Sequence, residues 1–199
     1  YLMSPLALLV EPDQAPRSAK TLIEMVYEYW RQIPSDSRPK LYLHGLSLGS
    51  YGSENAVSPL SMIDDPISGA LWSGPTFGNP LWRKLSTDRN PDSPAWLPRI
   101  GDGRTVRFTT QTNALYIPGS SWSRTRIIFL QYPSDPITFF EVAAAYRPSE
   151  WMVGKRAPDV LPDFKWYPLI TMLQLAIDML ICTDVPKGFG HVFAAEHYV

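Results

Sequence analysis

Gly45-Leu46-Ser47-Leu48-Gly49 follows directly on the run Lys40 to His44, which reads as the end of a buried strand. A serine set between two glycines at such a point has the form of a nucleophile elbow, a strained strand-to-helix turn that presents the hydroxyl above a sheet. The glycines two before and two after Ser47 are explained by the close approach of strand and helix backbones, which leaves no room for larger side chains. With only 12 glycines in 199 residues the pentapeptide is uncommon by chance, so its surroundings decide its meaning.

Upstream, Ser18 to Ile33 carries Leu22, Met25/Val26, Tyr29/Trp30 and Ile33 at the spacing of one helical face. Pro34, Asp36, Ser37 and Pro39 then break the helix before the strand. Helix, tight loop, strand and elbow in this order predict an α/β fold with a mostly parallel sheet flanked by helices. Further along, Arg126 to Tyr132 reads as an apolar strand, Thr105 to Thr110 as a second, and Leu169 to Cys182 as a buried helix opened by Pro168.

An acyl-transfer serine needs a base and a carboxylate to orient that base. Three histidines are available. His191 lies in the glycine-rich loop Pro186 to His191 after the apolar helix, where a side chain can be presented to the top of a sheet, and it is the preferred base. His44, three residues before Ser47 on the same strand, is the alternative, with its side chain expected to point away from the elbow. His197, near the end of the chain, is assigned a surface or packing role. Asp135 follows the Arg126 to Tyr132 strand in Pro133-Ser134-Asp135-Pro136, the side of an open sheet where ligand-binding and catalytic groups gather. It is the preferred acid, although an aspartate before proline also caps turns, and Asp184 is its rival. Ser47, Asp135, His191 gives the chain order nucleophile, acid, base. The backbone amide of Leu48 is one expected oxyanion donor, and a second is sought at Tyr1 to Ser4.

The length suits one domain, residues 1–199, and 45% hydrophobic residues suffice for a substantial core. A net charge of −1 gives no basic excess for nucleic acid, and the single cysteine, Cys182, permits neither an internal disulfide nor a zinc cluster. At the end of the apolar helix it is expected to be a packed, inert thiol. No metal or cofactor motif is read. Residues 73–123 are rich in Pro, Gly, Asn, Ser and Trp and are expected to form a loop-rich insertion. Trp72, Trp82, Trp96 and Trp122 either line an acyl pocket there or serve as core for the loops. The Leu169 to Cys182 stretch is too short and too polar, with Gln174 and Asp178, for a membrane span of about 20 residues.

A wider set of stretches joins the elbow: Arg38 to Leu43, Gly69 to Pro75, Asn79 to Trp82, Ser93 to Pro98, Gln131 to Pro136, Lys165 to Pro168 and Gly188 to His191. Together they resemble the α/β-hydrolase domain at the C-terminal end of a group of bacterial membrane proteins, common in actinobacteria and also seen in proteobacteria. The resemblance implies a catalytic domain forming the C-terminal part of a longer protein, with N-terminal sheet strands missing from this chain. An abbreviated fold is the alternative to missing strands. The resemblance also implies a membrane-spanning region outside the chain, which places the full-length protein at the bacterial cell membrane while this part is soluble. The implied activity is that of a serine hydrolase acting on carboxylic, lipid or acyl esters without a cofactor. An acyltransferase acting on envelope lipids, or a sensor or scaffold domain without turnover, are the alternatives.

Overall fold

The computed structural model describes residues 14–56, 62 and 64–198. Four parallel strands form one sheet in the order β1-β2-β4-β3: β1 is Tyr42–Leu46, β2 Gly69–Ser73, β3 Val106–Thr109 and β4 Arg126–Leu130. Leu46 pairs with Ser73, Ser73 with Leu130 and Leu130 with Thr109, so the four C-terminal strand ends lie in one row. The loops leaving that row are where the geometry of an open parallel sheet collects functional groups.

Five helices accompany the strands among the described residues: α1 Gln14–Arg31, α2 Leu48–Ala56, α3 Pro80–Thr87, the single turn α4 Pro136–Phe139, and α5 Ile170–Ile181, with short 3-10 turns between and after the last two. The expected strands and helices sit within a few residues of their predicted bounds. Pro34 starts the break after α1, closed by a bond from the Ser37 amide to the Pro34 carbonyl of 3.0 Å.

Phe129 of β4 is fully buried, with Phe108 of β3 stacked on it at 5.0 Å and Trp72 of β2 tilted against it at 5.3 Å. Burying an aromatic side chain of this kind contributes about 1.5–3 kcal/mol, so three adjacent strands are held by one aromatic stack. Trp72 of β2 and the tryptophans of the 73–123 segment follow the same logic. Trp72, Trp82 and Trp96 are buried, and their indole N–H groups donate to Ser53 Oγ at 2.9 Å, Gln131 Oε1 at 2.6 Å and the Lys155 carbonyl at 2.8 Å. They are core with satisfied polar tips, and Trp72 in addition lines a cavity of about 530 Å³ together with Met62, Ile67 and Leu81. Trp122 packs under the guanidinium of Arg107 at 4.0 Å. The segment expected as a loop-rich insertion thus holds α3 and β3, one of the two outer strands of the described sheet. Helix α3 begins with Pro80 directly after Asn79, an N-terminal signal legible in the sequence.

Two expectations about helices need correction. In α1 the buried side chains are Tyr27 and Trp30, so of the apolar stripe read from sequence Trp30 faces inward, whereas Leu22, Met25 and Tyr29 are more than half exposed. Helix α5 is not a buried helix: only Thr171, Leu175 and Met179 are buried, and Ile170, Leu173 and Ile177 are each more than half exposed. Nor does it open on Pro168. Leu169 turns the chain at φ 60°, with the Ile170 amide donating back to the Pro168 carbonyl at 2.6 Å, a tight three-residue turn ahead of the helix. Among the described residues no helix is long and apolar enough to cross a membrane.

Candidate active site

Ser47 stands between β1 and α2 at φ 56°, the left-handed region that side chains other than Gly rarely enter. Such a conformation costs about 1–3 kcal/mol and persists only where neighbours fix it. Here the Ser47 amide donates to the Ser73 carbonyl on β2 at 3.0 Å, and the Tyr51 amide, in the first turns of α2, donates to the Ser47 carbonyl at 3.0 Å. The strand fixes one side of the turn and the helix the other. A Cβ on Gly45 would lie 2.3 Å from the Gly49 carbonyl, so this glycine is required by the close approach of the two backbones. Gly49 itself is different: a Cβ there would meet nothing within 4 Å. The steric reason expected for both glycines holds only for the first.

A buried polar network braces α2 from the other side. Asn79 Nδ2 donates to Ser50 Oγ at 3.1 Å and to Glu54 Oε2 at 2.9 Å, while Asn79 Oδ1 accepts from the Thr76 amide and hydroxyl at 2.8 and 2.9 Å. Glu54 Oε1 accepts the Leu81 amide at 2.7 Å, so a carboxylate from α2 serves the first turn of α3. Burial pushes the Glu54 carboxyl above its usual value, against the opposing effect of these hydrogen bonds. Sequence reasoning missed Ser50, Glu54 and Asn79, since a glutamate within a short helix gives no sign of its burial.

Asp135 is fully buried on the loop that leaves β4. Oδ1 accepts the Ile137 amide at 2.9 Å, which caps α4, and Oδ2 accepts from Thr138 Oγ1 at 3.1 Å and from His191 Nδ1 at 2.6 Å. The capping role and the pairing role weighed as alternatives are filled by the two oxygens of one carboxylate. With the proton on Nδ1, the lone pair of the imidazole is on Nε2. That Nε2 is buried without a hydrogen-bond partner among the described residues. Gly74, which follows Ser73 at φ 52°, lies against the ring, and a Cβ there would come within 2.8 Å of His191 Cε1 and of Phe193 Cε2. The imidazole therefore lies over the end of β2, next to the residue whose carbonyl holds the Ser47 amide.

The other candidates lie elsewhere. His44 Nδ1 bonds to the Leu71 carbonyl at 3.0 Å and its ring meets Tyr198 edge-on at 5.9 Å. His197 Nδ1 bonds to the Tyr132 hydroxyl at 2.5 Å, whose oxygen also accepts the Ala194 amide at 3.0 Å. Asp184 is exposed after α5. Leu48 begins α2, so its amide is one of the first-turn donors that have no acceptor within the helix. The second oxyanion donor sought at Tyr1 to Ser4 lies outside the described residues. Cys182 is buried, its thiol donating to the Met179 carbonyl at 3.1 Å, and burial together with the nearby Asp135 pushes it up to about 11. At such a value the reactive thiolate is scarce.

Behind Asp135 lies a cavity of about 260 Å³, walled by Phe139, Trp151, Phe164, Leu175, Val185 and Phe189. Its aromatic lining comes from residues after β4, not from the tryptophans singled out in the sequence.

No curated protein and no solved structure matches the chain. The family model described as an alpha/beta-hydrolase family does match, over residues 1–199. A parallel sheet flanked by helices, with a strained serine turn at one strand end, agrees with that match. The chain belongs to the alpha/beta-hydrolase family.

Proposed function

We propose that this hydrolase-family chain is a serine hydrolase cleaving carboxylic esters, with Ser47 as nucleophile, His191 as base and Asp135 as the carboxylate that orients it. The observation that carries the reading is the His191–Asp135 bond of 2.6 Å with Nε2 left without a partner beside the elbow. In this mechanism His191 Nε2 takes the Ser47 hydroxyl proton as Oγ bonds to the ester carbonyl carbon. The carbonyl electron pair moves onto oxygen, and the Leu48 amide donates to that oxyanion. Collapse re-forms the carbonyl and breaks the bond to the alkoxide, which leaves with the proton held on Nε2. Water, deprotonated by the same nitrogen, then attacks the acyl-enzyme; a second collapse releases the acid and returns the proton to Ser47. Asp135 keeps the tautomer and stabilises the imidazolium without taking the proton itself.

An apolar acyl group is the proposed substrate portion, carried by the resemblance of the quoted stretches; the cavity against Asp135 and Gly190 is lined by neither Ser47 nor His191. Attachment of the full protein to a bacterial membrane is carried in this proposal by the resemblance of the quoted stretches. A fluorophosphonate probe tests the chemistry: mass spectrometry is expected to find the label on Ser47, and label on Ser50, Ser73 or Ser134 instead overturns the assignment. Product analysis with and without an added acceptor alcohol separates hydrolysis from acyl transfer.

A further inference from the structure

His191 sits in a loop without regular structure. Gly188 and Gly190 have φ 89° and 53°, and one backbone bond from the His191 amide to the Cys182 carbonyl, 2.9 Å, ties its residue to the end of α5. That bond does not register the loop against Asp135, which arrives from β4. The registration comes from side chains. Gly190 donates its amide to Ser134 Oγ at 3.1 Å, so the residue before His191 is tied to the residue before Asp135. Gln111, just beyond β3, donates from Nε2 to the Gly188 carbonyl at 3.0 Å and to Asp159 Oδ2 at 2.7 Å. The same Asp159 oxygen accepts the Ser134 amide at 3.1 Å. Asp159 Oδ1 is buried with no partner among the described residues.

From this geometry we propose that Asp159, with Gln111, is a positioning pair that sets the His191 loop against the Asp135 loop, Asp159 acting as a double hydrogen-bond acceptor through one oxygen. The proposal rests on the Ser47, His191, Asp135 reading above. Asp159 touches neither His191 nor Asp135 through any hydrogen bond found among the described residues; it acts through Ser134 and through Gln111. Both ties use Oδ2, and an amide oxygen accepts two donors as a carboxylate oxygen does. Charge is therefore not what the position requires. This separates Asp159 from Asp135, where the carboxylate must stabilise an imidazolium and an amide fails. A misplacement of about 1 Å between reacting groups costs about a hundredfold in rate, which sets the scale for losing the ties.

The test compares Asp159→Ala, Asp159→Asn and Gln111→Ala on a soluble short-chain ester, with thermal unfolding of each variant. Asp159→Ala is expected to lower kcat about 10- to 100-fold with KM within about 3-fold. Asp159→Asn is expected to keep kcat within about 3-fold, and Gln111→Ala to fall between the two. An alanine variant with the parent's kcat, or an asparagine variant as damaged as the alanine one, overturns the proposal. Should Asp159→Ala fail to fold, Gln111→Ala against Asp159→Asn decides the same point, since only the first removes a tie. A second readout does not need turnover: the proton of the His191 Nδ1–Asp135 bond, observed by NMR, is expected to persist in Asp159→Asn and to be lost in Asp159→Ala. If Ser47→Ala proves as active as the parent, the hydrolase reading fails while this resonance still decides the positioning role.

Discussion

The turn that carries Ser47 is fixed largely by residues close to it in the chain, whereas the loop that carries His191 is set against Asp135 by side chains far from it. Gly45, Ser47 and Tyr51 fall within two turns of α2, and only the Ser73 carbonyl comes from another strand. For His191 the partners are Asp135, Ser134, Gln111 through Gly188, and Cys182. A locally determined turn stores its strain in its own backbone. A loop held by distant side chains stores its precision in polar contacts, each of which a point substitution removes. Damage to the first should therefore appear as lost folding stability or lost nucleophile, and damage to the second as lost rate in a folded protein.

The largest expected effect is at the serine. Ser47→Ala should reduce ester turnover by several orders of magnitude while the melting temperature stays near that of the parent, because the substitution removes only an oxygen from a half-buried position. Hydrolysis assays and thermal unfolding on one preparation check both halves; near-normal turnover would break the comparison at its root. Next comes the acid. Asp135→Asn should lower kcat about 10³- to 10⁴-fold with the fold intact, and Asp184→Asn should change it less than about 2-fold. The acidic limb of kcat/KM should have unit slope, as one essential base requires. His191→Ala should abolish turnover, while His44→Ala and His197→Ala should leave the limb in place, since both rings are engaged away from Asp135. If Asp184→Asn were the more damaging variant, the long-range half of the comparison would fall.

How much of this was legible in the sequence follows the same division. The elbow is a five-residue motif, and its strand and helix announce themselves by period and by the proline break, so fold class and Ser47 could be read directly. Asp135 and His191 were reached by chain order and loop context, which name a residue without placing it. Gln111, Asp159 and Glu54 left no signal, and Asn79 only that of a helix start, because nothing in a lone polar residue says which distant partner it will meet. The apolar stripe of α1 misled for a related reason. Its spacing fits a helix, but spacing does not say how far round the helix the buried face runs, and the face that turns inward shares Trp30 with the stripe and adds Tyr27, stacked on it at 5.8 Å.

The two glycines of the elbow sharpen the local half. Gly45→Ala forces a Cβ to 2.3 Å from backbone atoms of Gly49, so strand and helix must separate, and stability should fall by about 1–3 kcal/mol. Gly49→Ala meets open space within a helix and should be neutral or stabilising by up to about 1 kcal/mol. Denaturant unfolding of both variants checks the sign of each. Equal losses at the two positions would mean that the elbow depends on backbone freedom at Gly49 and not on contact at Gly45.

The smallest effect concerns the network behind the elbow, and it depends on pH. Burial raises the Glu54 carboxyl above its ordinary value of 4.5, so the folded protein holds this proton more tightly than the unfolded chain does. The stabilisation that protonation contributes is therefore fully present below the unfolded value and is lost as pH rises through the raised folded one, each tenfold difference in proton affinity being worth about 1.4 kcal/mol. Glu54→Gln mimics the protonated acid and retains an oxygen for the Leu81 amide. Relative to the parent, the variant should gain stability as pH increases from about 4.5 to 7, whatever its offset at low pH. The difference in unfolding free energy between the two proteins, followed across that range, isolates Glu54 from carboxylates common to both. A difference that stays constant with pH would mean that the hydrogen bonds from Asn79 and Leu81 offset the cost of burial, leaving the brace behind Ser47 as a contact network insensitive to protonation.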